Sequence, residues 1–358
     1  MKKFAMVFIA ILAICAGLAY GSNQLTKSTG DSGNKVLNLY NWGDYIDPNL
    51  LTKFQKETGY HVNVDTFDSN EAMYTKVQQG GTNYDLTVPS DYMVQKMKAD
   101  HLLVPLDKSK LTGLNNYGAS FMNKSFDPGN KYSIPYFWGT LGIIYNDQDV
   151  KPGSLEHWNQ LWSKKYRNDI MLIDSARDIM GFSLISMGHS VNATNSREMI
   201  AAKNKLNRLS PNVKAVVADE IKMYMAEGEA PVAVDWSGEA TEMMSQNAHL
   251  HYVVPTEGSN MWFDNLVIVI PKTAKHYKAI YAFLNFMSKP ENAAQNARYI
   301  GYSTPNTTAF KLLPQKIRED KQFYPPQKVI DKLQVYRNLS AQKVQQYNDL
   351  YLEFKMNK

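Results

Sequence analysis

The apolar and polar positions of this chain form short apolar runs that alternate with longer amphipathic stretches. Val36–Tyr40 is one such apolar run, and it predicts a strand. Asp47 followed by Pro48 predicts the start of a helix, and Gly59 predicts its end, because Asp caps a first turn, Pro fits it and Gly permits the left-handed stop. His61–Asp65 alternates between apolar and polar residues, which is typical of a half-buried strand.

The same alternation continues along the rest of the chain. Further strands are predicted at Tyr84–Val88, Ile170–Ile173, Pro231–Val234 and Asn265–Ile270. Further helices are predicted at Glu71–Gln79, at Tyr92–Lys98, from Arg177, from Gly238 and at Lys275–Met287. Strands that alternate with helices at this spacing indicate an α/β fold with a mostly parallel sheet. Because about 320 residues exceed what a single core usually covers, the pattern predicts two α/β lobes.

The N-terminus has the pattern of an export segment. Residues 1–21 combine a short positive start with a long uncharged run, and they predict a signal or anchor segment. Residues 22–35 are polar and predict a flexible linker. Three fates fit this pattern: cleavage after Gly21, lipidation at Cys15, or retention as an apolar membrane anchor. Each of them places the remaining chain outside the cytoplasmic membrane.

Charge and cysteine content narrow the class of protein. The formal net charge is +5, but residues 1–21 carry +2 and residues 311–358 carry +5, so the body from residue 22 to 310 carries −2. A nucleic-acid-binding protein usually concentrates lysine and arginine on its folded body, so no nucleic-acid partner is expected. Cys15 is the one cysteine, which excludes disulfides, cysteine metal sites and cysteine nucleophiles from the exported part.

Aromatic residues and carboxylates recur where the predicted strands end. Ligands of open α/β sheets bind in the crevice beyond the carboxyl ends of the strands, so these side chains are the candidate site. The candidates are Trp42, Asp44 and Tyr45 after the first strand, Ser90 and Tyr92 after the third, Ser175 and Asp178 after the fourth, Trp236 after the fifth, Trp262 and Asp264 just before the last strand, and Tyr302 in a turn-rich segment.

Rings and carboxylates together suit a flexible organic polycation. Each ammonium group loses its hydration on entry and needs a carboxylate to offset that loss. Aromatic faces cover the methylene chain and attract the cations by roughly 0.5–2 kcal/mol per good contact. An Asp before a helix is ordinarily an N-cap, which accounts for Asp44, Asp47, Asp91 or Asp174 without a ligand. The recurrence of a ring beside an acid at several strand ends favours the polycation.

Sequence motifs for several kinds of chemistry are absent. The chain contains no G-x-x-x-x-G-K-[ST], G-x-G-x-x-G, G-x-S-x-G or H-E-x-x-H motif, so no cofactor is expected and the chain is predicted not to be an enzyme. No metal site is expected either, because His249 and His251 share one strand face without an evident third ligand. Two alternatives stay open: a sugar-binding receptor of the same architecture, and a glycoside hydrolase with paired carboxylates.

Seven segments carry a family resemblance over nearly the whole exported chain. They are Leu39–Trp42, Phe54–Gly59, Asp85–Ser90, Phe126–Pro128, Tyr132–Gly139, Trp262–Asp264 and Gly301–Asn306. At these segments the chain resembles PotD-type spermidine/putrescine-binding proteins, the bacterial extracellular solute-binding proteins that serve ABC importers.

The resemblance implies a periplasmic-binding-protein-like fold, in which two α/β lobes joined by hinge crossovers close on the ligand like a clamp. Lobe 1 would comprise residues 36–141 and 263–308, and lobe 2 residues 142–262 and 309–358. The implied partners are a polyamine ligand and the membrane permease subunits of an ABC transporter. The protein would be a monomer in the periplasm or on the outer face of the cytoplasmic membrane. Its N-terminal segment would contact the membrane surface if it is lipidated or kept as an anchor.

The resemblance also implies roles for individual residues. Asp44 would be an ammonium partner, Asp178 a carboxylate from the second lobe, and Asp264 the acid that grips an amino group. The implied lining residues are Trp42, Tyr45, Ser90, Tyr92, Trp236, Trp262 and Tyr302. The chain departs from the family at Ser175, where relatives often have a second acid, and at Arg337, where a glutamine is expected. The preference between spermidine and putrescine therefore does not transfer.

Overall fold

The computed structural model describes residues 35–269, 273–321 and 323–357. The predicted signal or anchor segment 1–21, the lipidation candidate Cys15 and residues 22–34 of the predicted linker lie outside the described residues. Within the described ranges, none of the helices is both long and apolar enough to cross a bilayer.

The described chain contains nine strands and thirteen α-helices. The strands are β1 Val36–Trp42, β2 His61–Phe67, β3 Leu86–Thr87, β4 Ser133–Asn146, β5 Ile170–Ile173, β6 Val213–Val217, β7 Val232–Trp236, β8 Leu250–Val253 and β9 Met261–Ile268. The helices are α1 Pro48–Thr58, α2 Asn70–Gln79, α3 Asp91–Ala99, α4 Ala176–Ile185, α5 Ser196–Leu209, α6 Glu220–Ala226, α7 Ser237–Gln246, α8 Tyr277–Met287, α9 Pro290–Ile300, α10 Thr307–Phe310, α11 Gln315–Arg318, α12 Gln327–Ile330 and α13 Ala341–Met356.

Local capping chemistry explains the bounds of the first helix. The Asp47 carboxylate accepts the backbone N–H of Asn49 at 2.9 Å, and Pro48 occupies the first helical position. Gly59 ends α1 in the left-handed region, with φ 75°. The predicted bounds of α1 are therefore confirmed.

The structure corrects two predicted strands and adds one that the sequence pattern did not predict. The predicted strand Tyr84–Val88 is reduced to the two residues of β3, because its neighbours on both sides pair only briefly with it. Trp262 and Asp264 lie inside β9 and not before it, since the whole of Trp262–Asp264 pairs with β4. The longest strand, β4, was not predicted.

The strands form one continuous sheet in the order β2-β1-β3-β9-β4-β7-β5-β6, with β8 also paired to β4. The outer strands are parallel, as predicted, whereas β9 is antiparallel to β3 and β4, and β4 is antiparallel to β7 and β8. The sheet is therefore mixed, with its antiparallel strands at the centre. Residues 133–140 of β4 pair with β9, and residues 141–146 pair with β7 and β8.

Two separate apolar clusters lie on the two sides of this crossing strand. The first cluster takes its buried residues from 37–138 and 261–313, and the second takes them from 141–252 and 336–354. Two independent cores are what two lobes require. The exact lobe boundaries stay a prediction. Because Ala309 and Leu313 pack in the first cluster, we propose that the last boundary lies after residue 313 and not at 308/309.

Candidate functional site

Asp264 is the centre of a hydrogen-bonded group on the side of the first cluster. The Tyr45 hydroxyl donates to its Oδ2 at 2.5 Å, and the Ser90 hydroxyl donates to its Oδ1 at 2.7 Å. Asn70 fixes Ser90, because its Nδ2 donates to the Ser90 oxygen at 3.0 Å. Only 6% of Asp264 is exposed, and this burial raises the pKa of its carboxyl to about 6, although the two hydroxyl donors act to lower it.

A second carboxylate, Asp91, lies close to this group. Asp91 is 1% exposed and accepts the backbone N–H groups of Tyr92 at 2.6 Å and Phe263 at 3.2 Å. Burial raises its pKa, and the nearby charge of Asp264 raises it further. Asp91 is the first residue of α3, and Ser90 holds the N-cap position. Asp91 and Asp264 therefore belong to one buried acidic region, in which the charge of Asp264 favours the protonated form of Asp91.

Asp178 is the corresponding centre on the side of the second cluster. Its carboxylate accepts hydrogen bonds from the Ser175 hydroxyl at 2.6 Å, the Tyr336 hydroxyl at 2.8 Å and the Trp236 indole Nε1 at 3.2 Å. Asp178 is 5% exposed, and burial raises its pKa, whereas these three donors and the charge of Arg177 act to lower it. The Ser175 that replaces the expected acid thus acts through Asp178.

Asp235 and Glu239 bring further acid to the same side. Asp235 is fully buried and accepts the backbone N–H of Trp236 at 2.8 Å. Burial raises the pKa of Asp235, and the charges of Glu239 and Asp178 raise it further. Glu239 lies 3.0 Å from the Lys222 ammonium and accepts the Tyr302 hydroxyl at 2.9 Å.

Aromatic rings lie between these carboxylate groups. The ring centroid of Tyr302 is 5.3 Å from that of Tyr45 and 5.3 Å from that of Trp262, in edge-to-face contacts. Tyr45 also meets the ring of Phe137 at 5.2 Å. Tyr92 packs against both apolar clusters. A continuous aromatic wall therefore connects the Asp264 side to the Glu239 side.

Trp42, Asp44 and Asp174 lie outside the hydrogen-bonded groups around Asp264 and Asp178. Trp42 is half-buried, with its ring 4.6 Å from Phe67 and its Nε1 donating to the Val88 carbonyl at 2.8 Å. Asp44 is exposed in a turn with φ 48°. Asp174 is not a helix cap: it accepts the Tyr351 hydroxyl at 2.7 Å, on the C-terminal helix. Ligand contact by Trp42 and Asp44 stays a prediction.

Two residues of the group were missed as site residues because their sequence pattern was explained by capping. Asp91 and Asp235 each fall where a helix begins, and only their contacts in the folded chain separate them from an ordinary cap such as Asp47. Asp91 accepts the backbone N–H of Phe263 on β9 and Asp235 lies within β7, whereas Asp47 accepts the N–H of Asn49 in its own first helical turn. Tyr336 was missed because it follows no predicted strand. Its neighbour Arg337 is exposed, and its backbone N–H donates to Asn192 Oδ1 at 2.8 Å.

No group of three histidine, cysteine or acidic side chains in the described part of the chain could hold a metal ion. His249 and His251 both contact Asp147, at 2.9 Å and 2.8 Å.

Comparisons with known proteins give the family. The family model "Bacterial extracellular solute-binding protein" matches residues 49–325. The spermidine/putrescine-binding periplasmic protein of Salmonella typhimurium is 37% identical over 334 residues, which cover 93% of each chain. A crystal structure described as the spermidine/putrescine ABC transporter substrate-binding protein PotD of Streptococcus pneumoniae, in complex with calcium and HEPES, is 54% identical. It covers 90% of this chain and 99% of that one, with a TM-score of 0.85.

A protein described as a putative spermidine/putrescine ABC transporter from Listeria monocytogenes is also 54% identical, and covers 90% of this chain and all of that one, with a TM-score of 0.83. The likeness to the Streptococcus structure confirms the predicted periplasmic-binding-protein-like fold. The chain belongs to the bacterial extracellular solute-binding protein family.

Proposed function

We propose that this chain captures a polyamine, spermidine or putrescine, between its two lobes and delivers it to the permease of an ABC importer. One observation carries the proposal: two buried carboxylates, Asp264 and Asp178, belong to opposite halves of the fold. Asp264 accepts from two hydroxyl donors, and Asp178 accepts from two hydroxyl donors and one indole donor. The names of the relatives, which are spermidine- and putrescine-binding proteins, support the same ligand class.

The electrostatics of the ligand-free site favour a cation. Asp264, Asp91, Asp178 and Asp235 all have raised pKa values, and burial is the largest cause in each. A buried carboxylate is stable when a cation with matching hydrogen-bond donors replaces its lost hydration. An alkyl diamine or triamine supplies such cations at both ends of a flexible chain. The site thus gains most from a ligand with separated ammonium groups.

Each half of the site has a role in this proposal. Asp264, positioned by Tyr45 and Ser90, would hold one ammonium group, and Asp178, positioned by Ser175 and Tyr336, would hold another. The methylene chain would lie against the aromatic residues between them, which are Trp236, Trp262, Tyr92 and Tyr302. Trp42 and Asp44 would close the outer edge of the cleft. Aromatic contacts of this kind contribute about 0.5–2 kcal/mol each with a cation.

The sugar-receptor alternative is not favoured. Sugars stack on rings and bind carboxylates through hydroxyl groups, but neutral hydroxyls do not offset four clustered buried acids. The relatives are named as binding proteins of transport systems, so the enzyme alternative has no support from them.

The cellular setting follows from the same proposal. The protein would act outside the cytoplasmic membrane, as the periplasmic relatives do by name. It would be a monomer that contacts the permease subunits, and its N-terminal segment would be released, lipidated at Cys15 or kept as an anchor. Intact-mass measurement of membrane-extracted protein distinguishes these three fates.

A thermal-shift panel tests the function. Spermidine, putrescine, oligosaccharides and amino acids are each added to purified protein, and the unfolding temperature is recorded. A ligand that binds the folded state raises this temperature with concentration. We expect a rise with the polyamines alone. A rise with an oligosaccharide and none with either polyamine would contradict the proposal.

A further inference from the structure

Gly238 lies where any side chain would collide with the ring of Tyr302. A Cβ atom at position 238 would lie 1.2 Å from Cε1 of Tyr302 and 1.9 Å from its Cδ1. Non-bonded carbon atoms require about 3.5–4.0 Å, so the ring would have to retreat by roughly 2 Å. The Tyr302 ring therefore occupies the space that a side chain at position 238 would need.

This contact joins the two halves of the fold. Tyr302 packs against the first apolar cluster, whereas Gly238 lies in the first turn of α7, whose Ala240 and Met243 belong to the second cluster. Two hydrogen bonds join the same two segments beside it, one donated from each side. The Tyr302 hydroxyl donates to Glu239 at 2.9 Å, and the Thr241 hydroxyl donates to the Gly301 carbonyl at 3.1 Å.

The same ring is also part of the site wall. Tyr302 meets Tyr45 and Trp262 at centroid distances of 5.3 Å, and Tyr45 donates to Asp264. A displacement of the Tyr302 ring would therefore change both the separation of the two halves and the shape of the wall beside Asp264.

We propose that Gly238 sets how far the two halves close over a bound polyamine and thereby tunes the affinity without having to touch the ligand. The inference rests on the proposed function, because closure needs a ligand. Gly238 is helical and outside the left-handed region of φ, so alanine fits its backbone. Alanine also has a higher helix propensity than glycine. Gly238→Ala therefore keeps a helical backbone, while its Cβ excludes the present position of the Tyr302 ring.

A double-mutant cycle tests the inference. Spermidine affinity is measured by calorimetry for the wild type, Gly238→Ala, Tyr302→Ala and the double variant. We expect Gly238→Ala to weaken binding about tenfold or more when Tyr302 is present, and less than about twofold in the Tyr302→Ala background, because the colliding ring is then gone. Gly81→Ala is the matched control: Gly81 is exposed, has no left-handed φ, and no atom lies within 4 Å of an added Cβ.

Small-angle X-ray scattering supplies a second readout that a local packing defect would not change. Spermidine should reduce the radius of gyration of the wild type, of Gly81→Ala and of the double variant, but not of Gly238→Ala. Wild-type affinity and compaction in Gly238→Ala would overturn the inference, as would an equal loss of affinity in both backgrounds. Wild-type protein that binds no polyamine would instead overturn the proposed function, and this inference with it.

Discussion

The Tyr336 hydroxyl donates a hydrogen bond to Oδ1 of Asp178 at 2.8 Å, although 158 residues separate the two in the chain. Tyr336 is buried and lies in the segment that follows α12. Residue Gln334 of the same segment pairs with Asn260, next to β9. The C-terminal part of the chain thus supplies one of the hydrogen-bond donors around Asp178.

Tyr336→Phe should weaken spermidine binding several-fold at pH 7. The change removes a donor to the Asp178 carboxylate. A hydrogen bond to a charged group contributes about 1.5–3 kcal/mol, and because this bond is already present without ligand, only part of that energy enters the affinity. Titration calorimetry measures the loss. Tyr347→Phe is the control, because the Tyr347 hydroxyl donates to the backbone carbonyl of Ala193 at 2.8 Å and not to the cleft. Equal affinity in both variants would contradict a role for Tyr336.

Trp236 combines two contributions that substitutions can separate. Trp236→Phe keeps an aromatic face but removes the Nε1 donor to Asp178, whereas Trp236→Ala removes both. We expect the affinity for spermidine to fall in the order wild type, Phe, Ala, with a loss of about tenfold or more for Ala, while the ligand-free variants stay folded. Because both variants replace a tryptophan, a titration that follows tryptophan fluorescence is unsuitable, and calorimetry measures the affinity instead. Wild-type affinity in Trp236→Ala would contradict the proposed contact between the Trp236 ring and the ligand.

Much of the first lobe could be predicted from the sequence, because its signals are local. Asp47, Pro48 and Gly59 determine α1 through contacts within a few residues. Strand β4 was not predicted, because Pro135, Gly139 and Gly142 interrupt its pattern. It is a strand because β9, β7 and β8 all pair with it, which is a tertiary effect that no local window contains.

The candidate site could also be predicted only in part from local sequence patterns. Asp178 and Asp264 were identified through strand ends and the family resemblance. Asp91 and Asp235 have the sequence context of an N-cap such as Asp47, and the tertiary neighbours that distinguish them, Phe263 for Asp91 and Glu239 and Asp178 for Asp235, are not encoded in any short motif. Tyr336 enters the group through the path of the C-terminal segment, which periodicity does not predict.

Polyamine binding should weaken as the pH falls below about 6. The pKa of Asp264 is raised from its ordinary value of 3.8 to about 6, so in the ligand-free protein this carboxyl gains a proton below that pH. An ammonium group needs the ionised form, so binding releases a proton. With one such group, affinity falls about tenfold between pH 7 and pH 5. Calorimetry at both pH values checks the fall.

The same linkage predicts the sign of the stability change. Folded Asp264 holds its proton more tightly than the unfolded chain does, so its contribution to the free energy of unfolding decreases as the pH rises from about 4 to about 6.

At pH 6, calorimetry in two buffers of different ionisation enthalpy should register proton release on spermidine binding in the wild type and less of it in Asp264→Asn. Identical dissociation constants at pH 5 and pH 7 would rule this linkage out.

Phe54→Ala tests the first apolar cluster independently of the site. Phe54 is fully buried, with ring centroids 5.2 Å from Phe283 and 5.3 Å from Phe286. Removing a buried ring of this kind costs about 3–5 kcal/mol of the free energy of unfolding. Urea denaturation should show that loss, while the folded fraction keeps its affinity for spermidine. A loss below about 1 kcal/mol would mean that this packing is wrong.

The central claim is that carboxylates from the two halves of the fold hold a polyamine together. Its most direct test is calorimetric titration of spermidine into Asp264→Asn and Asp178→Asn, beside the exposed control Asp149→Asn, which makes the same charge change. We predict that each cleft variant binds about tenfold or more weakly, because each leaves a buried ammonium group without its carboxylate, while Asp149→Asn binds as the wild type does. Unchanged affinity in both cleft variants would contradict the account.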